Sequence, residues 1–478
     1  MFTSRHTMAT TPAEITPPIV PPSDAERSRK RQILLTVIGV LLLIAWGWWW
    51  ITSFNQGRLW GGNRTRLPWW RFLGLDFLHN YHAARLWLNG GNPYTDDFGD
   101  WRKEYAYPPI VLPLYAWCRF VTAQAAVAIW MTFIATVVAV GAWAARRIRV
   151  TFGLAPLPLV FMIAVAVCSM PVLFAIERGQ GDAVVLLMIL IIAAALQRRP
   201  SWTRDLLIGF CLALAAWIKV YPIVLLLGLL ALGAYRAAGL TVAQIIVIGV
   251  VPYRATQYWL ASTKASQGDR IGFVSETVKW ITDPDFRPAQ LTLFQPISAD
   301  AHSLTTYWAT FWEHVHLWRI ARMPGMLGAA LVLVPIALWI TYRVWRSPAR
   351  RELAYPFLLL LAALATFGVP VSYDYNLIYL PLAALAVCDR RDPAIVGLAI
   401  VGMLAALQPF KVPWEMHVAT AFELFNAKPP VAPLELLLRI ENDVLFFLKL
   451  FGAIGVGVSL SLRARHSQTA DLPQLSAP

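Results

Sequence analysis

About thirteen apolar runs, each roughly 14 to 23 residues long, follow one another along nearly the whole of this 478-residue chain. Written as a helix at about 1.5 Å per residue, a run of that length crosses or enters a hydrocarbon layer about 30 Å thick. In such a layer only helices and closed barrels satisfy their own backbone groups. With 58% hydrophobic residues and only 14% charged, the chain lacks the polar surface of a soluble multidomain enzyme. The expected fold class is an all-α polytopic membrane protein.

The formal net charge of +14 does not point to nucleic acid, because the basic residues sit in short clusters between apolar runs rather than along one helix face. They read as topology signals. Arg27, Arg29, Lys30 and Arg31 precede the run Ile33 to Ile51; Arg146, Arg147 and Arg149, then Arg198, Arg199 and Arg204, then Arg343, Arg346, Arg350 and Arg351, then Arg390 and Arg391, and finally Arg463 and Arg465 follow. The positive-inside rule puts all of them on the cytoplasmic side. This predicts a disordered cytoplasmic tail over 1–32, a membrane domain over 33–463 and a second cytoplasmic tail over 464–478. Three outer stretches then fall at about 52–106, 254–322 and 410–440. The first run is too long for a signal-peptide core and is expected to stay as an anchor, with Trp48, Trp49 and Trp50 at its outer interface.

An odd number of runs cannot join two cytoplasmic ends. About twelve crossings are therefore expected, with one run re-entrant or two runs forming one bent helix. Tyr107 to Val121, which carries Pro108, Pro109 and Pro113, is the first candidate, and the segment around Pro171 is the second.

Four polar constellations interrupt the apolar runs, and this threading puts all four at the outer end. In the first, LGLDFLHNYHAARLWLNGGNPYTDDFGDWRKEYAYPP, Asp76 opens a helical segment, and His79 and Asn80 follow one turn later on the same face. Ala83 and Ala84 permit close packing, and Gly90, Gly91 and Pro93 end the helix. A plain capping role for Asp76 is the competing reading. The second, AIERGQGDAVVLLMI, holds Glu177, Arg178, Gln180 and Asp182 at a depth where an unpartnered charge costs about 2.5 to 3.5 kcal/mol; either they line a cavity or Glu177 and Arg178 form an ordinary loop pair. The third, AAWIKVYPIVLL, sets Lys219 in an apolar run beside Tyr221 and Pro222. Snorkelling explains such a lysine near a helix end, and an anion such as a lipid phosphate explains it on the outer half. The fourth, GVPVSYDYNLIYLPL, brings Tyr373, Asp374, Tyr375 and Asn376. Agreement of all four with an independently derived topology favours one outer-side cavity.

Other features are read more plainly. Cys118, Cys168, Cys211 and Cys388 have no CxxC spacing and read as buried thiols. Asp96, Asp97 and Asp100 lack the alternation of a calcium loop, so no metal is expected there. The stretch 253–322, with Trp259, Trp280, Trp308, Trp312, Trp318 and His302, fits helices lying on the outer interface. His314 and His316 diverge on a helix and make poor joint ligands. No glycine-rich phosphate loop or βαβ pattern is present for a nucleotide sugar.

In order, DFLHNYHAARLWLNGGNPY, YAYPP, RGQGD, IKVYP and SYDYN resemble the successive motifs of glycosyltransferase family 87, polytopic enzymes of the GT-C superfamily. The resemblance runs from about Asp76 to about Pro381. It implies a GT-C-like bundle in the plasma membrane that moves a sugar, typically mannose, from a polyprenyl-phosphate donor. The acceptor is a hydroxyl of a glycolipid or lipid-linked glycan on the extracytoplasmic side. It implies inversion with Asp76 as catalytic base, and Lys219 and Arg178 near the donor phosphate. His79, Asn80, Tyr94, Gln180, Asp182, Tyr221, Tyr373, Asp374 and Asn376 are candidates for lining the donor or acceptor pocket. No cofactor is implied, and the partners are membrane lipids, donor and acceptor. Two departures bear on acceptor and sugar: the family often has Asn in place of Asp182, and paired histidines in place of Tyr375 and Asn376. The competing class is a transporter or lipid flippase, which calls for two similar halves and polar breaks near the midplane. No internal repeat is visible, and a noncatalytic scaffold leaves the charged convergence without a purpose.

Overall fold

The computed structural model describes residues 24–56, 74–93, 96, 105, 107–250, 322–368, 377–389 and 448–465. Every regular element among these residues is helical. In order they are α1 (Asp24–Gln56), α2 (Leu75–Leu88), a 3-10 helix (Pro109–Phe120), α3 (Ala123–Thr151), α4 (Leu159–Val167), α5 (Met170–Arg178), α6 (Asp182–Leu196) and α7 (Trp202–Ile218). A 3-10 turn (Tyr221–Val224) leads into α8 (Leu225–Ala231), followed by α9 (Tyr235–Val250), α10 (Arg322–Trp345), α11 (Ala354–Gly368) and α12 (Tyr379–Val387). A last helix occupies 448–465.

Among the described residues, three helical spans are long and apolar enough to cross a membrane: Glu26–Trp48, Ala123–Thr151 and Gly328–Trp345. A fourth forms if α4 and α5, bent by 61°, act as one broken span. The first of these extends the anchor expected over 33–51. Helix α1 begins nine residues earlier, at Asp24, where Lys30 pairs with Glu26 one turn away at 2.7 Å, an arrangement that supports a solvated helical turn. The tail boundary placed at residue 32 therefore falls inside a helix. Shorter apolar helices such as α6 and α11 complete the bundle.

Burial sorts these helices by composition. Helices α11, AYPFLLLLAALATFG, and α12, YLPLAALAV, are apolar on all sides and buried on all sides, as a helix without a polar face must be. They pack on each other, with α12 against α3 and α11 against α6 and α10. Around them α7 lies between α6 and α9. Helix α1 touches the rest along α4 and leaves Ile33, Leu34, Leu41 and Ile44 exposed; an apolar face of this size suits lipid.

The described elements run between two ends of the bundle. Helix α3 starts at its Thr122 cap, where Thr122 Oγ1 accepts from the Ala125 N–H, and finishes at the arginine cluster. There Arg149, buried, donates from Nη1 to the carbonyls of Leu385 at 3.1 Å and Cys388 at 2.6 Å, and from Nε and Nη2 to that of Ala155. Gln197, after α6, donates to the carbonyl of Arg351 before α11, and Arg350 lies against Gly233 after α8. At this same end Asp205 is held by Arg204 and Arg236. The opposite ends of α5, α6, α7 and α12 carry Arg178, Asp182, Lys219 and Tyr379. Most of the described arginines thus gather at one end, and the polar motifs, with Arg178, at the other.

Arg149 reads in the sequence as a topology signal, but its side chain is also structural. It supplies charged donors to two carbonyls at the end of α12 and to that of Ala155 between α3 and α4, one of the stronger forms of hydrogen bond. Arg149→Gln is expected to cost about 3 kcal/mol, seen as a lowered thermal transition of the purified protein. An unchanged transition would show that water replaces the guanidinium.

Tyr107 to Val121 does not form an α-helical crossing. Pro108, Pro109 and Pro113 remove donors that an α-helix needs, and the segment forms the 3-10 helix, which packs on α2. Tyr81 Oη donates to the Val121 carbonyl at 3.0 Å, so the 3-10 helix is tied to α2 just before α3 begins. The second candidate, around Pro171, is the break between α4 and α5.

Candidate active site

Helix α2 is positioned by glycines. Gly74, in the left-handed region at φ 72°, caps it, and the Gly74 N–H donates to the Glu177 carbonyl at 2.7 Å. Gly179, at φ 67°, ends α5 against Gly74 and Phe77. Trp130 Nε1 donates to the Gly179 carbonyl at 2.9 Å, and the Phe77 ring stacks on Trp130. These contacts seat the first turn of α2 beside the last turn of α5.

The result is a charged pair that sequence spacing brings within one cavity but does not itself pair. Arg178 reaches both carboxylate oxygens of Asp76, Nε to Oδ2 and Nη2 to Oδ1, each at 3.1 Å. Gln180 Nε2 also donates to Asp76 Oδ2. Asp76 is 6% exposed and stands in the first turn of α2, whose N-cap is Gly74. The loop pair of Arg178 with Glu177 is replaced by the pair with Asp76.

Lys219 follows the last residue of α7 in extended conformation, because Pro222 blocks continuation of the helix. Its ammonium donates to Gln180 Oε1 at 3.3 Å, lies 3.5 Å from Asp182 Oδ2, and stands over the Tyr107 ring at 5.9 Å. It points into the cluster, not along a snorkelling path to the surface. Asp182 is fully buried at the start of α6, where the helix dipole favours a negative charge. It accepts from Tyr221 Oη and, at 3.3 Å, from Tyr379 Oη, and the two tyrosine hydroxyls also contact each other.

Asp76, Arg178, Gln180, Lys219, Asp182 and Tyr221 therefore form one connected cluster. His79 and Asn80 sit just behind it. Asn80 donates to the Asp76 backbone carbonyl at 2.8 Å and accepts from Tyr105 Oη at 2.9 Å, while the His79 ring stacks on Tyr105. Tyr94, Tyr373, Asp374 and Asn376 lie outside the described residues, as do Asp97 and Asp100. Asp96 accepts from the Asn92 N–H at 2.8 Å, the bond of a turn. The thiols are free; Cys118 and Cys211 are buried, whereas Cys168 and Cys388 are only partly so.

Three site residues escape the sequence reading. Tyr379 is hidden in NLIYLPL as one more member of an apolar run. Tyr105 and Tyr107 belong to YAYPP, whose prolines draw attention to chain direction rather than to its rings. A tyrosine placed where an apolar run meets a polar motif is the signal that could have found all three, since a buried phenol needs a partner.

The family model of glycosyltransferase family 87 matches residues 105–368, more than half of the chain. The chain belongs to glycosyltransferase family 87. It is thus a membrane glycosyltransferase, and the transporter and scaffold classes give way. No curated protein and no solved structure matches it. Within the family span lie Tyr105, Tyr107, Arg178, Gln180, Asp182, Lys219 and Tyr221. Asp76, on α2, precedes it, and Tyr379 follows it.

Proposed function

We propose that this family 87 member transfers a sugar, mannose by its family resemblance, from a polyprenyl-phosphate donor to a hydroxyl of a glycolipid or lipid-linked glycan. The observation that carries the reading is the Asp76 carboxylate paired with Arg178 and joined through the Gln180 amide to Lys219 in a shared cluster. A sugar on a lipid phosphate already has a good leaving group. The protein has three tasks: take a proton, hold two substrates in line and offset charge on the departing phosphate.

In the proposed step, the Asp76 carboxylate accepts the proton of the acceptor hydroxyl as that oxygen bonds to the sugar's anomeric carbon. The bond from that carbon to the phosphate oxygen breaks, and the electron pair leaves with the polyprenyl phosphate beside Arg178 and Lys219. One displacement with one base inverts the anomeric centre, and no second catalytic carboxylate is needed. Asp182 keeps Lys219 in place, while Tyr94, Tyr373, Asp374 and Asn376 are proposed to complete the donor or acceptor pocket with His79 and Asn80. No metal or organic cofactor enters the step.

The gathering of arginines at the end away from the cluster supports an extracytoplasmic site in the plasma membrane. A GT-C-like bundle of about twelve crossings is part of the same proposal. Reconstituted protein offered a panel of polyprenyl-phosphate sugars and nucleotide sugars tests the donor. Transfer from the lipid phosphates, fastest with mannose, is expected. Equal rates with nucleotide sugars alone would overturn the assignment.

A further inference from the structure

Asp76, as the structure holds it, has both carboxylate oxygens engaged. Arg178 occupies both of its oxygens and Gln180 donates to one of them. General-base catalysis needs an oxygen within hydrogen-bond reach of the acceptor hydroxyl, and the bidentate grip stands in the way.

Gln180 sits between opposite charges. Its Nε2 faces the Asp76 carboxylate, which only accepts, and its Oε1 faces the Lys219 ammonium, which only donates. The amide fits in one orientation, and loss of either neighbour removes the reason for it. The two cations differ in exposure. Lys219 is anchored from behind by buried Asp182, whereas the Arg178 side chain is 26% exposed and is held in the cluster through Asp76. The ionisable groups around the Asp76 carboxylate come from several elements: Arg178 from α5, Asp182 from α6, Lys219 after α7, Tyr105 and Tyr107 before the 3-10 helix, and His79 on α2 itself. Arg178 and Lys219 are the two that a phosphate attracts directly, and they are the two that engage Asp76, one in contact and one through Gln180.

We infer that Arg178 and Gln180 form a latch that keeps Asp76 from acting as a base until a lipid-borne phosphate draws Arg178 and Lys219 to itself. The inference rests on the transferase reading above and makes Gln180 a positioning residue that couples the base to the donor site. It also fixes an order, because an acceptor arriving first meets an occupied carboxylate.

The test is equilibrium binding of polyprenyl phosphate, which carries the leaving group without the sugar, to the full chain in nanodiscs. Polyprenol and inorganic phosphate serve as comparison ligands. Breaking the latch opposes phosphate binding, so variants that lack it bind polyprenyl phosphate about ten-fold tighter or more. Asp76→Asn is expected to do so, but it also removes a negative charge. Gln180→Leu changes no charge and decides the matter, with Gln180→Met as a second variant of similar size. Unchanged or weaker binding by the Gln180 variants overturns the latch and leaves the donor reading standing. Wild-type protein that binds polyprenyl phosphate no better than polyprenol overturns the donor reading and the latch together. Inorganic phosphate that binds as tightly as the lipid overturns the requirement that the phosphate be lipid-borne.

Discussion

Asp76→Asn is expected to slow transfer by about 10²- to 10⁴-fold, the range that a positioned general base supplies, while the amount of folded protein in the membrane stays near that of the wild type. The two halves of this expectation have separate grounds. The rate falls because an amide cannot accept the hydroxyl proton. Folding is expected to survive because the N-cap of α2 is Gly74 rather than Asp76 and Asn fills the same volume. Asn also keeps one oxygen to receive Arg178, with a modest penalty where its amide group meets the donors of Arg178 or Gln180. Initial rates in proteoliposomes, divided by folded protein measured on the same samples, check both halves. Full activity in the variant would remove Asp76 from the mechanism, and loss of expression would return it to a structural role.

The second large effect lies in backbone. Gly179→Ala is expected to destabilise the protein by roughly 2 to 5 kcal/mol, combining about 1 to 2 for the left-handed conformation with about 1 to 3 for overpacking. A Cβ built there meets the Phe77 Cβ at 2.6 Å and the Gly74 Cα at 2.8 Å, both on the stretch that carries Asp76. Relief of that collision moves α2 away from α5 and separates Asp76 from Arg178, so activity should fall more than the melt alone explains. Gly153→Ala is the control. It stands at φ +60° with nothing within 4 Å of the added carbon, and carries the conformational penalty without the collision. If both variants lower the thermal transition equally, close approach at Gly179 is not what holds the site together.

Apolar periodicity made the helical class and the positions of the polar motifs legible, because in a membrane the cost of burying charge leaves few other places for Asp76, Arg178 and Lys219. The helical extent of α2 was equally plain from Gly90, Gly91 and Pro93. What the sequence could not supply was partnership. Asp182 reads as one more polar residue of RGQGD, yet it is the buried anion beside Lys219 and two tyrosines, one of them 197 positions away. Arg149 reads as a topology charge, yet it closes carbonyls 236 and 239 residues distant. Such contacts depend on which helix ends meet, and local spacing does not encode that. The conformation of Tyr107 to Val121 was half legible: its prolines argued against an ordinary crossing, but not for a 3-10 helix laid on α2.

The brevity of α6 has a bearing on what can enter. Its 15 residues extend about 22 Å at 1.5 Å per residue, some 8 Å less than an ordinary hydrocarbon layer, and Asp182 stands at its first position. A mismatch of that size is met by thinning of the surrounding bilayer or by a water-filled dip toward the protein. With the donor proposed above, either response would set the charged cluster below the usual headgroup plane, where a phosphate moored by its own lipid tail has the advantage over one that must arrive from solution.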